Sequence, residues 1–326
     1  MKHLLPCLLT ALLPWGATAD AARPYVNDKK APENRKDLEC IQNALTQVLD
    51  KARLATVCIE LGEGSGSGVL VSEDGLVLTA AHVAGGINKD LTVVLEDGRK
   101  FKAVSLGVVA DTDAAMVRIT DKEKFPCIEI ERENTTLLGD WVFALGHSGG
   151  YDKQRGSVVR LGRLVRMTEN TIQSDCTLIG GDSGGPLFNL QGELIGIHSR
   201  VGVWMGIDMH VPIPVFLKNW EGLLKGEFIG EGPFVKKPEK GQGFLGVATE
   251  ACKDGGLTVT KVGKDTPAAK ADLKDGDILL KLNGTVLTTR EQLQDLLKEM
   301  TEGDPLEFDA LRAGQPLTFK LKLGAR

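Results

Sequence analysis

Apolar positions along this chain change rhythm four times. From Leu4 to Leu13 they run almost unbroken behind Lys2 and give way to small residues ending Ala17-Thr18-Ala19. That is the layout of an export signal cleaved before Asp20, so residues 1–19 are expected to be a leader. The run is too short and too broken by Pro6 and Pro14 to span a bilayer, and no later segment approaches the roughly 20 apolar residues a spanning helix needs. From Asn34 to about Arg53, Leu38, Ile41, Leu45 and Val48 recur at helical spacing, which predicts an amphipathic helix in search of a partner surface.

From Thr56 to about Pro212 the apolar runs shorten to strand length (VCIEL, GVLV, LVLTA, LTVVL, AVSLGVV, AAMVRI, WVFALG, ELIGIH) and are parted by Gly, Asp and Asn turns. Many short strands without long helices between them predict an all-β sandwich or barrel. The stretch GEFIGEGPFVKKPEKGQG then concentrates Gly, Pro and Lys and reads as a linker. Beyond it come five strand-like runs and one helix, with Thr288 and Glu291 in capping-box spacing and Leu293, Leu296, Leu297 and Met300 along one face. The predicted organisation is therefore a leader (1–19), an N-terminal helical segment (20–53), a β domain (54–225), a linker (226–242) and a smaller α+β domain (243–326).

A chain of 326 residues with 42% apolar content suits about two globular domains. The formal charge of −5 is spread without a basic stripe, which argues against nucleic acid as a partner. Removing the leader leaves Cys40, Cys58, Cys127, Cys176 and Cys252. An odd number without C-x-x-C spacing is neither a disulfide scaffold nor a metal site, and buried free thiols are expected ahead of a bridge.

Candidate chemistry begins with GHSGG (Gly146–Gly150) and GDSGG (Gly181–Gly185), two stretches that each present a serine on a glycine-lined turn. Serine hydrolysis also needs a histidine to take the proton, a carboxylate to hold that histidine, and N–H donors for the oxyanion. Reading along the chain, His82 in LTAAHV, Asp113 in DTDAAMVRI and Ser183 in GGDSGGPL follow the order His, Asp, Ser of a two-barrel architecture. Asp111 is a competing acid. The rival nucleophile, Ser148, would need a following helix and a downstream acid and histidine. Asp208 and His210 fit by order, but GGYDKQRGSVVR has no helical periodicity. A Gly-Asp-Ser-Gly turn also lets the N–H groups of Gly181 and Ser183 converge on one point.

The blocks SGSGVLVSEDGLVLTAAHV, DTDAAMVRI and IQSDCTLIGGDSGGPLFNLQGELIGIHS resemble the catalytic blocks of the HtrA (DegP-type) serine proteases. The tail, with GFLGV and KVGKDTPAAKADLKDGDILLKLNG, resembles that family's PDZ domain. The resemblance implies a chymotrypsin-like double β-barrel followed by a PDZ domain, with His82 as base, Asp113 as its orienter, Ser183 as nucleophile and the amides of Gly181 and Ser183 as oxyanion hole. It places Ile197, His198 and Ser199 beside the substrate backbone and Thr177 at the pocket floor, hence a non-basic P1 preference. Phe244, Leu245 and Gly246, with Leu293 and Leu296, would line a groove for peptide C-termini. No metal or organic cofactor is implied. Unfolded exported proteins are the implied substrates, a homotrimer the implied assembly, and the periplasm or the exterior the implied location. A peptide-binding scaffold that no longer cleaves is the alternative. The chain departs from the family at three places: Asp182 stands where asparagine is usual, Ser148 where proline is common in an activation-type loop near the active site, and Asp272 where glycine is usual.

Overall fold

The computed structural model describes residues 23–62, 64–201, 208–252 and 255–324. The expected leader and its cleavage site lie outside the described residues. Asn34 accepts a hydrogen bond from the N–H of Asp37 and caps helix α1, Arg35–Ala55. Ile41 and Ala52 of this helix are buried, Val48 leans on the turn at Gly192, and Leu38 stays exposed. The helix thus runs two residues further than its apolar spacing suggests, and Thr56 ends it by turning directly into strand.

The first barrel comprises β1 (Thr56–Leu61), β2 (Gly64–Leu70), β3 (Leu76–Ala80), β4 (Asp90–Val94), β5 (Lys100–Val109) and β6 (Ala114–Ile119). The order β5-β4-β1-β2-β3-β6 closes through β5 against β6. The second comprises β7 (Trp141–Gly146), β8 (Val158–Met167), β9 (Ile172–Ser174), β10 (Pro186–Asn189), β11 (Leu194–Val201) and β12 (Asp208–Pro212), closed in the order β10-β11-β12-β9-β8-β7. Closure removes the unpaired edges that short strands would otherwise expose. One apolar core runs through both barrels and under α1, joining Leu78, Met116, Phe143, Phe188 and Ile197.

Two short helices, α3 (Ile213–Lys218) and α4 (Trp220–Leu224), follow. The stretch read as a linker is partly structured: Phe228–Ile229 form β13, parallel to β5, and Gly232 passes so close to the Ala110 carbonyl that a Cβ would sit 2.1 Å from its oxygen. The second domain has a sheet in the order β14-β15-β16-β18-β19, with β17 paired to β16. Its strands are β14 (Val247–Ala251), β15 (Leu257–Val262), β16 (Ile278–Leu282), β17 (Thr285–Val286), β18 (Pro305–Arg312) and β19 (Gln315–Lys322), with helices α5 (Pro267–Lys270) and α6 (Arg290–Lys298). The cap of α6 lies one residue later than read from Thr288 and Glu291. Thr289 accepts from the N–H of Gln292, and Gln292 Oε1 accepts from the N–H of Thr288, so the overlapping Thr-x-x-Gln spacing prevails. Asp272 adopts φ +63°, the conformation for which glycine is favoured, and Arg312 anchors it through both its carbonyl and its carboxylate. All five described cysteines are free, and burial pushes the thiols of Cys58 and Cys176 up to about 11 and about 12.

Candidate active site

His82 and Asp113 come from the same end of one antiparallel strand pairing, where Ala80 of β3 lies opposite Ala114 of β6. β3 feeds the single helical turn α2 (Ala81–Ala84) that carries His82, and β6 begins immediately after Asp113. Asp113 is fully buried and holds a left-handed φ of +69°, a conformation that a short polar side chain tolerates better than most and that usually persists only under constraint. The constraint is visible. Its carbonyl accepts from the N–H of Ala81, and its carboxylate accepts from the His82 backbone N–H at 3.0 Å and from Ser199 Oγ at 2.6 Å. The remaining bond joins Asp113 Oδ2 to His82 Nδ1 at 2.9 Å. This fixes the Nδ1–H tautomer and leaves Nε2 as a lone pair able to accept a proton. His82 is about a third exposed, at 34% of its side chain. Asp111 instead faces Gly230 and lines a small cavity of about 110 Å³ with Thr112 and Arg200.

Ser183 arrives from the second barrel, on the turn preceding β10. The turn is stitched to both barrels. The Ser183 carbonyl accepts from the N–H of Ser67 at 2.7 Å, while Gly184 N–H donates to the His198 carbonyl and His198 N–H to that of Gly185. Gly181 and Gly184 both have positive φ, and a Cβ on either would lie 2.2 to 2.4 Å from backbone atoms of Gly149 or Ser67. Glycine is required here by contact as well as by conformation. The N–H groups of Asp182, Gly184 and Gly185 all donate to carbonyls, whereas among the described residues those of Gly181 and Ser183 have no protein acceptor. Two unengaged donors beside a half-buried serine can stabilise a developing oxyanion. Ser183 Oγ forms no hydrogen bond to His82 among the described residues; such bonds commonly tighten only when substrate is bound.

The expected pocket residues lie on β11 and on the loop that follows β9. Ile197 and His198 are buried in β11, and Ser199 is tied to Asp113. Thr177 is exposed, and the neighbouring N–H of Leu178 donates to Asp208 Oδ2 at 3.0 Å. Burial pushes Asp208 up from the ordinary carboxylate range. Ser67 escaped the sequence reading: its hydroxyl donates to the Gly181 carbonyl and accepts from the N–H of His147, both at 2.8 Å. Its place in a Gly-Ser repeat was the available signal. Ser148 has no histidine partner among the described residues; its hydroxyl donates to Asp182.

In the second domain, Phe244, Leu245 and Gly246 face α6 across a groove of about 270 Å³, which Leu293 and Leu297 also line. Leu296 does not line the groove; it packs half-buried against the domain's core, as Leu297 also does while lining the groove. Strand β14 is the sheet edge beside α6, and an added strand could pair there.

Comparison with known proteins gives two domain matches, a trypsin-like peptidase domain over residues 66–197 and a PDZ domain over residues 243–323. A probable periplasmic serine endoprotease, DegP-like, of Pseudomonas savastanoi pv. phaseolicola is 31% identical over 268 residues, 80% of this chain and 56% of the relative. The correspondingly named protein of Halomonas elongata is 30% identical over 267 residues, 79% of this chain and 56% of the relative. The chain therefore spans little more than half the length of these curated relatives. The crystal structure of the serine endoprotease from Yersinia pestis aligns with a TM-score of 0.50 at 28% identity, covering 91% of this chain and 99% of that one.

Proposed function

We propose that this chain, which joins a trypsin-like peptidase domain to a PDZ domain and is similar to proteins named DegP-like serine endoproteases, is an HtrA-type serine endopeptidase in which Ser183 attacks the peptide carbonyl. His82 Nε2 takes the serine proton and later delivers it to the leaving amine. Asp113 holds the ring and stabilises the imidazolium, and the N–H groups of Gly181 and Ser183 receive the oxyanion. The observation that carries this reading is the buried, fully bonded Asp113 on His82 Nδ1, together with a serine turn in which two N–H groups have no protein acceptor among the described residues. Substrates are unfolded or damaged exported proteins, consistent with relatives named as periplasmic endoproteases. The second domain binds peptide C-termini by strand addition along β14. The chain works outside the cytoplasm as a homo-oligomer, a trimer by family analogy.

A fluorophosphonate probe tests the chemistry. The expected result is stoichiometric labelling and degradation of unfolded casein, both abolished by Ser183→Ala. A protein that takes no label, with or without a peptide that occupies the second-domain groove, would be a scaffold.

A further inference from the structure

Asp182 is the residue between the two oxyanion donors, so whatever holds its side chain sets the direction of both. Its carboxylate is wholly buried, beneath the end of β7. Room for it exists because residue 146 is glycine, where a Cβ would lie 2.6 Å from Asp182 Oδ1. A buried carboxylate without a cation is costly, and this one has a cation from its own chain. Arg160, on β8, places Nη2 2.9 Å from Asp182 Oδ2 and donates at 2.8 Å to Ser148 Oγ, whose proton is given to Asp182 Oδ1 at 2.6 Å. The N–H of Ile179 completes the set at 2.9 Å. Arg155 steadies the far side of the same loop through the carbonyls of Ser148 and Gly150.

We propose that Arg160 is a positioning residue for hydrolysis, a built-in cation that, through Asp182 and Ser148, locks the 180–184 turn with its two N–H donors aimed at the reacting carbonyl. The inference rests on the hydrolase reading and extends it. GHSGG and GDSGG are then two halves of one device, the first supplying the hydroxyl that bridges the cation and carboxylate of the second. The Asp at 182 and the Ser at 148, both departures from the family pattern, are explained together, because a carboxylate in this pocket requires the guanidinium and gains the serine. A cation fixed in a barrel strand is present as soon as the domain folds, so the turn needs no later ionic event to set it.

The test compares Arg160→Met, Arg160→Lys, Asp182→Asn and the double variant Arg160→Met/Asp182→Asn in the full chain. It measures the fluorophosphonate labelling rate, and kcat and KM on a quenched peptide. Losing one oxyanion donor typically lowers kcat by about 10²- to 10³-fold. Arg160→Met is therefore expected to fall by about 10²-fold or more in labelling and kcat with KM within about threefold. Asp182→Asn, which strands no buried anion, should fall less, and Arg160→Lys should stay within about tenfold of the parent. The double variant should regain at least about tenfold over Arg160→Met, a coupling that independent sites would not give. Labelling of Arg160→Met within about threefold of the parent, or a double variant whose loss is the product of the single losses, overturns the proposal. Should Arg160→Met not fold, a folded Arg160→Lys and a folded double variant that both lose more than about 10²-fold would also overturn it. A parent that takes no label refutes the hydrolase reading instead, whereas a labelled parent with indifferent variants refutes only the role of Arg160.

Discussion

Two buried histidines, His198 on β11 and His210 on β12, make the protein's stability depend on pH in a calculable way. His198 Nε2–H donates to the Leu145 carbonyl at 3.2 Å, which leaves its Nδ1 as acceptor for His210 Nδ1–H at 2.9 Å. His210 Nε2 must then accept from the Ser174 hydroxyl at 2.7 Å. The chain of bonds has one proton per ring. A second proton on His198 would set two N–H groups face to face, and burial pushes His210 down to about 3 and His198 well below the ordinary histidine range, the latter also opposed by His210 and Arg160. In the unfolded chain both rings titrate near 6.5. With folded values depressed, the unfolded state binds more protons below that point, so stability is intact above about pH 6.5 and drains away as pH falls toward about 3. At pH 5.0 a ring kept neutral by the fold forfeits about 2 kcal/mol, and the pair about 4 kcal/mol. For a domain of this size that is roughly 8–16 °C in Tm. Urea unfolding at pH 7.5 and 5.0, for the parent and for His198→Gln/His210→Gln, isolates the effect, because carboxylate titrations are common to both. The parent should lose about 4 kcal/mol more than the variant on acidification, whatever the variant's absolute stability. Equal losses within about 0.5 kcal/mol would show that the pair is protonated in the fold and would refute the bond assignment.

Two further outcomes follow from the geometry. Asp113→Asn presents an amide NH₂ to one of three donors, His82 Nδ1–H, His82 N–H or Ser199 Oγ–H; kcat should drop by about 10⁴-fold with an unchanged far-UV spectrum, and retention of a tenth of parental activity would contradict Asp113 as the orienter of His82. The second domain rests on the first through Lys89–Glu302 and Lys322–Asp90, both 2.7 Å, and Lys322 also reaches the Asn88 carbonyl. Exposed pairs contribute about 0.2–1 kcal/mol each and weaken with salt, so Lys89→Ala/Lys322→Ala should speed tryptic nicking at Lys236 severalfold in dilute buffer, and the parent should approach that rate in 0.5 M NaCl. Identical nicking of the two proteins at low salt would mean that the ion pairs do not hold the domains together.

What was readable from sequence divides along a physical line. Strand-length apolar runs, the helical spacing that begins at Asn34 and the glycine at 181 are local signals, and each produced the structure it implied. The order His82, Asp113, Ser183 was informative because closed barrels bring the ends of particular strands together, so chain order constrains geometry. Arg160 and Ser67 were invisible for the converse reason. Each acts through a partner many residues away, across a strand pairing whose register the sequence does not disclose. Leu296 and Leu297 show the limit of periodicity, since adjacent leucines that both pack on the core do not reveal which of them also reaches the groove.

The division of labour between the barrels follows from these contacts. The first carries the hydrogen-bonded pair proposed to handle the proton, His82 and Asp113, at strand ends, and extends Ser67 across to the turn of the second. The second carries the proposed nucleophile and both proposed oxyanion donors on a turn rich in glycine, which by itself would sample many conformations. A turn of that kind donates reliably only if its one long polar side chain is pinned, and Asp182 is pinned by Arg160 and Ser148 inside the same barrel. The pairing of β7 with β8 sets Ala144 opposite Arg160 and Gly146 opposite Val158, so a strand register delivers the guanidinium to the carboxylate. Catalytic geometry would then be a consequence of barrel closure, and any change that shifts the β7–β8 register should silence the serine while leaving His82 and Asp113 undisturbed.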